Sequence, residues 1–187
     1  MGRKSLRDER RQQIMDAFTL VLADHGYAGS TMLAIAEKAG LSPGLLHHYY
    51  SDKSEMLNEL LNDLLKGFRL RIKGIQKTSS LENYLEAALG LNERSDTIRA
   101  KCWVAILAEA IREPTLLASI KRYLDKEIVE ISRMSEERLD QSGSCALLAY
   151  IFGSLILGAF TPKRVAGFAA PNGKKFLDVL QNKDLKT

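Results

Sequence analysis

Residues 26–53, GYAGSTMLAIAEKAGLSPGLLHHYYSDK, decide the fold of this chain. The stretch predicts two short helices that are separated by a tight link. The first covers about residues 32–39, with Ser30 or Thr31 as its N-cap. The second begins after Ser42 and ends near Tyr50. Its first helical residue is Pro43, at a position where proline loses no needed hydrogen bond.

Each residue of the link, Gly40-Leu41-Ser42, has a physical reason to be there. Gly40 can adopt the left-handed conformation that ends a helix, Leu41 can fill the core, and Ser42 can cap the next helix. Two helices joined in this way are typical of a helix-turn-helix unit. In such a unit the second helix enters the major groove, where its N-terminal residues meet base edges and flanking groups hold phosphates.

Helical periodicity continues on both sides of this unit. Before it, apolar residues recur with the spacing of an amphipathic helix over residues 13–25. After it, Asp52 and Glu55 predict a helix start, and a long helix is expected from residue 53 to about residue 75. Further helices are predicted over residues 79–91, 99–112, 114–139, 142–160 and 174–180, with a loop or short turn between Pro162 and Pro171.

The prediction is therefore an all-α protein of about nine helices, because no stretch alternates with the period of two that strands show. We expect an N-terminal three-helix helix-turn-helix domain over residues 1–53. A linking helix over residues 53–76 and a larger helical bundle over residues 77–187 should follow.

Composition fits an ordinary globular protein: of 187 residues, 45% are hydrophobic and 27% are charged, with a net charge of +4. This mix excludes collagen and disulfide scaffolds. Cys102 and Cys145 are expected to be buried thiols, which suits a reducing cytoplasm. No targeting signal is visible, and the apolar run over residues 146–160 is shorter than a bilayer span, so we expect no membrane partner.

The motifs of the first 57 residues are specific beyond a generic helix-turn-helix. They resemble the TetR-type transcriptional regulators, and among these the BetI-like branch of choline-responsive repressors of betaine synthesis. The resemblance covers about residues 10–57. It rests on Gly26-Tyr27, Ser30-Thr31-Met32, Ile35-Ala36, Ala39-Gly40-Leu41-Ser42, Gly44, His48-Tyr49-Tyr50 and Lys53. Weaker similarity continues at Cys102-Trp103, Ala108-Glu109-Ala110 and Glu113-Pro114.

The resemblance implies a set of DNA-binding residues around the second helix of the unit. Small residues at its start let the helix approach the bases, hydroxyl and imidazole groups contact phosphates or base edges, and a lysine at the next helix start contacts a phosphate. The expected set is Thr31, Ser42, Pro43, Gly44, His47, His48, Tyr49 and Lys53. For Thr31 a plain capping role is equally compatible, and Tyr50 is expected in the core.

The resemblance also implies that the bundle encloses a ligand and forms a homodimer. Candidate lining residues are Trp103, Ile106, Tyr123 and Phe152, for which plain core packing is the alternative. Trp103 could face a quaternary ammonium group, assisted by Glu109 or Tyr84. Residues 154–160, together with residues 174–180, are expected to form the self-pairing face of a two-fold dimer.

These features predict a ligand-responsive transcriptional regulator, expected to be a repressor. It would be a homodimer that is released from a palindromic double-stranded DNA operator by a small-molecule effector. Two alternatives stay open. One is a DNA-binding dimer whose bundle only dimerises. The other is a helical-bundle carrier or enzyme, although no nucleophile or phosphate-loop motif is present. No cofactor is expected, and no metal site, because the histidines (His25, His47 and His48) lack partners at ligand spacing.

Overall fold

The computed structural model describes residues 5–75, 80–89, 94–136 and 138–182. For residues 68–69, 71–75, 94–96 and 162–167 it describes the backbone alone. These ranges contain helices and no strand, which confirms the all-α prediction. The helices are α1 (Leu6–Gly29), α2 (Met32–Ala39), α3 (Pro43–Tyr49), α4 (Lys53–Ile75), α5 (Leu81–Leu89), α6 (Arg94–Ala110), α7 (Pro114–Met134), α8 (Gln141–Phe160) and α9 (Pro162–Gln181).

Helices α1 to α4 form the N-terminal part of the molecule. Helices α2, α3 and α4 follow the predicted boundaries closely, whereas α1 begins at Leu6, seven residues before its predicted start at residue 13. Gly26 interrupts the regular helix at the end of the predicted range 13–25, because its backbone is non-helical (φ +67°, ψ 179°). The chain kinks there, and a short further helical segment continues to Gly29. The buried side chains Ile14, Phe18, Ile35 and Leu46 fill the space between α1, α2 and α3.

The N-terminal core is continuous with the bundle. The same cluster of buried apolar residues that holds the N-terminal helices also includes Cys102, Trp103 and Ile106 of α6 and Leu116 of α7. A second cluster joins α5, α7, α8 and α9. Residues 76–79, where the predicted boundary falls, lie outside the described residues, so the division into domains stays a prediction.

Helix α7 ends at Met134, five residues earlier than predicted. The hydroxyl of Ser135 donates to the carbonyl of Ser132 over 2.6 Å and accepts from the backbone N–H of Leu139 over 3.0 Å. Side-chain hydrogen bonds of this kind take up backbone N–H and C=O groups, so that the chain can leave the helix without losing their hydrogen bonds. The buried Ser135 therefore ends α7 and turns the chain toward α8.

Helix α9 corrects the predicted loop between Pro162 and Pro171. It runs unbroken from Pro162 to Gln181 with Pro171 inside it. Proline removes one backbone donor from a helix, but packing offsets this loss. Ala169 and Leu177 of α9 are buried, and the hydroxyl of Tyr150 donates to the carbonyl of Ala169 over 2.8 Å.

Helix α8 corrects the expectation that its apolar run is too short for a bilayer. The helix has 20 residues with a mean hydropathy of 1.9, so length and composition alone would let it cross a membrane. Helices of soluble cores pass the same test. One face of α8 packs inward through Leu147, Leu148 and Ile151, in the cluster that also holds α5, α7 and α9.

The two cysteines have different surroundings. Cys102 is fully buried, as predicted, and its Sγ lies 3.5 Å from the carbonyl oxygen of Thr19. Burial raises the pKa of this thiol to about 12. Cys145 is exposed, so the prediction of a second buried thiol is wrong. It lies near the start of α8.

Candidate functional site

Helix α3 is fixed at its start, as the sequence predicts, and along one side. Gly40 adopts the left-handed conformation (φ +67°, ψ 33°) that ends α2. The Ser42 hydroxyl accepts from the backbone N–H of Leu45 over 3.3 Å and so caps α3. Leu46 is completely buried beneath the helix. A helix of seven residues is too short to be stable alone, so these contacts hold it in place.

The opposite side of α3 is exposed. Pro43, Gly44, His47 and His48 are all exposed, and their spacing places them on one face of the helix. A Cβ atom at Gly44 would meet no heavy atom within 4 Å, and Gly44 has an ordinary helical backbone. The folded chain alone therefore does not require glycine at this position.

Thr31 and Tyr49 lie at the edges of this surface. Thr31 is exposed, and its hydroxyl accepts from the backbone N–H of Ala34 over 3.1 Å, so the capping role holds. Tyr49 is half-buried, with its ring edge-on to His48 at 5.3 Å between centroids. Both side chains reach the surface from fixed backbone positions.

An arginine that the sequence reasoning missed holds the end of α3. The guanidinium of Arg11 donates to the carbonyl of Tyr49 over 2.9 Å and to the carboxylate of Glu59. It also lies 4.2 Å from the ring centroid of Tyr50. Tyr50 is buried, as predicted, and its hydroxyl donates to Glu59 over 3.1 Å. Arg11 thus connects α1, α3 and α4. No motif in the neighbouring sequence predicts these long-range contacts.

Lys53 has a partner within the chain. Its Nζ donates to the carbonyl of Tyr27 over 2.8 Å and lies 4.1 Å from the centroid of the Tyr27 ring. A lysine ammonium has three N–H donors, so the bond to Tyr27 leaves others for a phosphate. The contact joins the bent end of α1 to the first residue of α4.

The structure brings three of the four predicted ligand residues into one aromatic cluster. The ring of Trp103 lies 6.3 Å from that of Tyr123 and 5.7 Å, edge-on, from that of Phe152. Ile106 is fully buried on the same helix as Trp103. Tyr123 also lines a cavity of about 420 Å³ between α4 and α7. At its edge lie three exposed cations: Lys66, Arg122 and Lys126.

A buried carboxyl group near this cluster was not predicted. Glu127, which is 5% exposed, accepts a hydrogen bond of 2.8 Å from the hydroxyl of Tyr84. Burial, followed by the charge of Glu127, raises the pKa of Tyr84. The position of Glu109 corrects one expectation. Glu109 does not join Trp103, because it faces α1 in a different cleft.

Metal binding receives no support from the described part of the chain, in which no three His, Cys, Asp or Glu side chains lie together in a group fit for a metal ion.

The helix-turn-helix region matches a known protein family. Residues 14–60 match the model described as "Bacterial regulatory proteins, tetR family". This range runs from the middle of α1 to the middle of α4 and includes every predicted DNA-binding residue.

The sequence similarity to known regulators extends over most of the chain. The HTH-type transcriptional regulator BetI of Paraburkholderia phymatum is 25% identical over 171 residues, which cover 86% of this chain and 87% of that protein. BetI of Escherichia coli is 26% identical over 174 residues, which cover 87% and 89%. These relatives are regulators and not enzymes, which leaves the carrier or enzyme alternative without support.

Solved structures share the fold. A TetR transcription regulator from Haloarcula marismortui superposes with a TM-score of 0.77 at 19% identity, covering 92% of this chain and 98% of that one. A TetR-family member from Streptomyces coelicolor gives 0.72 at 18% identity, covering 90% and 98%. The helix-turn-helix, the family match over residues 14–60 and the shared fold agree: the chain is similar to transcriptional regulators of the TetR family and carries the DNA-binding helix-turn-helix of that family's N-terminal domain.

Proposed function

We propose that the protein is a ligand-responsive repressor, and that α3 reads its operator in the major groove. The observation that supports this proposal is the exposed face of α3. Pro43 and Gly44 leave space for a close approach, although the folded chain does not need glycine at residue 44. His47 and His48 supply hydrogen-bonding groups for base edges or phosphates. Thr31, Ser42, Tyr49 and Lys53 flank this face and would fix its register on the phosphates.

A homodimer would supply two such helices. Large apolar side chains are exposed on α8 and α9: Ile156 (37%), Leu157 (53%), Phe160 (71%) and Val179 (61%). These residues belong to the two predicted pairing segments. The small residues Ser154, Gly158 and Ala159 are buried within the chain, so the large apolar residues, rather than the small ones, would form the contact. Two-fold pairing implies a near-palindromic operator.

The effector would act by shifting the spacing of the two α3 helices. We place its site between α4 and α7, where the cavity reaches Tyr123 and, through that ring, Trp103 and Phe152. The cations at the edge favour an anionic effector over a quaternary ammonium at this entrance. An effector weakens DNA binding only by as much as its affinity differs between the two bundle arrangements. The site of action would be the cytoplasm, with no membrane partner.

Selection of bound fragments from sheared genomic DNA, read by sequencing, tests the proposal. An enriched near-palindromic site is expected. Metabolites linked to the neighbouring genes would then be tested for a thermal shift together with release of the site. A site that stays bound in the presence of every metabolite tested would favour the alternative in which the bundle only dimerises. No enrichment at low salt by a folded dimer would contradict DNA recognition.

A further inference from the structure

The cavity of about 420 Å³ between α4 and α7 is bordered by one face of each helix. On α7 the lining residues recur at intervals of three and four positions, at Ser119, Arg122, Tyr123 and Lys126. On α4 they recur in a similar way and include Leu65, Lys66 and Leu70. Residues at this spacing share one side of a helix, so each helix contributes one continuous stripe to the wall.

The charged residues of this lining, within the part of the chain that the structure describes, are all cations: Lys66, Arg122 and Lys126. No described carboxylate forms an ion pair with any of them. The guanidinium of Arg122 donates to the hydroxyl of Ser119 on its own helix, over 3.4 Å. Like charges four residues apart on a helix repel each other, so an anion beside Arg122 and Lys126 relieves a repulsion in the free protein.

The neighbouring acids do not cancel this charge. Asp63 lies three residues before Lys66, and the ammonium opposes the rise in the pKa of Asp63 that burial causes, but Asp63 does not line the cavity. On α7, Glu130 is paired with an arginine over 2.8 Å, and Glu127 is buried inside the bundle. Asp125 is exposed and lies outside the lining. The described wall of the cavity is therefore positively charged.

The sequence of α4 adds to this positive charge. From residue 64 to its end at Ile75, the helix contains no Asp or Glu but several cations: Lys66, Arg69, Arg71 and Lys73. Charges of one sign raise the local concentration of an oppositely charged ligand and speed its association. An anion is therefore attracted to this end of α4, and a cation is repelled.

Apolar groups form another part of the wall. Leu70 lines the cavity and is 59% exposed, so an apolar ligand body would remove it from water. Leu65 is half-buried in the same lining. The ring of Tyr123 is buried, and its centroid lies 6.3 Å from that of Trp103. A small inorganic anion would leave this apolar surface in contact with water.

We propose that this cavity binds an organic acid with an apolar body. Its carboxylate lies between Arg122 and Lys126, because a planar guanidinium can donate two parallel hydrogen bonds to a carboxylate. Its body covers Leu70 and the ring of Tyr123, and Lys66 borders the site from α4. The link to gene regulation rests on the proposed function, in which the effector occupies this cavity, whereas binding of the acid does not.

Phenylbutyrate, phenylbutanol and phenylbutylamine test the charge preference, because they share one body and differ in their end group. Titration calorimetry on the full chain should show that the acid binds at least about tenfold more tightly than the alcohol, and that the amine binds more weakly still. Acetate, which has the charge without the body, should bind at least about tenfold more weakly than phenylbutyrate. Octanoate repeats the test with an alkyl body.

Three results of these titrations would overturn the proposal. The first is equal affinity for phenylbutyrate and phenylbutanol, the second is a preference for the amine, and the third is no binding of phenylbutyrate or octanoate at millimolar concentration.

Substitution of exposed cations locates the site with little effect on folding. Arg122→Gln and Lys126→Gln should each weaken phenylbutyrate binding about fivefold or more. Lys121→Gln, which changes an exposed cation of α7 outside the lining, is the matched control and should bind normally. Leu70→Ser should weaken binding of phenylbutyrate severalfold and leave that of acetate unchanged. Equal binding by Lys121→Gln and both lining variants would place the acid elsewhere and overturn the proposal.

Failure of the proposed function gives a different result. Operator binding is measured separately, with and without phenylbutyrate. If the acid binds with the expected dependence on Arg122 but the operator stays bound, the cavity site is supported and the effector role fails. If the acid releases the operator equally from wild type and from Arg122→Gln, the cavity site fails and a ligand-responsive regulator is supported.

Discussion

The hydroxyl of Tyr84 donates a hydrogen bond of 2.8 Å to the buried carboxyl group of Glu127, joining α5 to α7 inside the bundle. A hydrogen bond to a carboxyl group that is shielded from water contributes more to the free energy of unfolding than a bond to an exposed carboxyl group does. Tyr84→Phe should therefore lower the free energy of unfolding by about 2 kcal/mol in urea titrations. An unchanged value would show that water or another donor replaces the hydroxyl. Glu130→Gln, exposed on α7, serves as the control.

Arg11 should matter for stability although it lies on the first helix. Replacing Arg11 with Met removes its bonds to the Tyr49 carbonyl and Glu59, and its contact with the Tyr50 ring. We expect a loss of about 1 to 2 kcal/mol in the free energy of unfolding. The neighbouring Arg10→Met, which loses only an exposed bond to Gln13, should cost much less. Equal costs for the two variants would contradict the anchoring role.

His47 should affect DNA affinity and leave stability unchanged. Its side chain is exposed on α3, so His47→Ala disturbs no core packing. Loss of a base or phosphate contact should weaken operator binding about tenfold in anisotropy titrations. His25→Ala removes another exposed histidine, on α1, and should bind normally. If His47→Ala and His25→Ala bind the operator with the same affinity, His47 does not contact the DNA.

The exposed apolar residues of α8 and α9 should hold the dimer together. A charge placed in an apolar contact loses its hydration without a partner, so Leu157→Glu and Val179→Glu should each shift the protein toward monomer. Sedimentation velocity at micromolar concentration gives the readout. Val129 of α7 is as exposed as Val179, at 66% against 61%, and Val129→Glu is the control. A dimer that survives both α8 and α9 variants would require another interface.

Alkaline pH should destabilise the protein through Cys102. The folded thiol has a pKa of about 12, whereas an unfolded thiol has one of about 8.5. The folded state therefore holds its proton more tightly, so the stability that this group contributes is complete below about pH 8.5 and falls as pH rises toward 12. Between pH 8 and pH 10, wild type should lose about 1 to 2 kcal/mol more than Cys102→Ala in urea titrations. Cys145→Ala, which removes the exposed thiol, should behave as wild type.

Local signals in the sequence predicted the helix-turn-helix well. Gly40, Ser42 and Pro43 determine the end of α2 and the start of α3 through their own backbone preferences, and neighbouring residues suffice to show this. The exposure of His47 and His48 follows from the same local geometry, because Leu46 is the side chain that faces the core.

Contacts between distant parts of the chain could not be predicted in this way. Pro171 suggested a break, but packing of α9 on its neighbours keeps the helix continuous. Arg11 lies in a polar run, and nothing nearby in sequence indicates its contacts near Tyr49 and Glu59. Glu127 has the spacing of an ordinary charged residue on an amphipathic helix, and a partner 43 residues away, Tyr84, helps to explain its burial. Such pairs depend on how helices assemble.

Binding to a palindromic operator and to its single half-site tests the central claim most directly. Once a site has been selected, anisotropy titrations would compare the palindrome, one half-site with a scrambled partner, and a fully scrambled duplex at the same salt concentration. The account predicts that the palindrome binds at least about a hundredfold more tightly than the scrambled duplex, with the half-site between them, because two α3 helices engage two half-sites. Equal affinity for all three duplexes would contradict sequence recognition by a two-fold dimer.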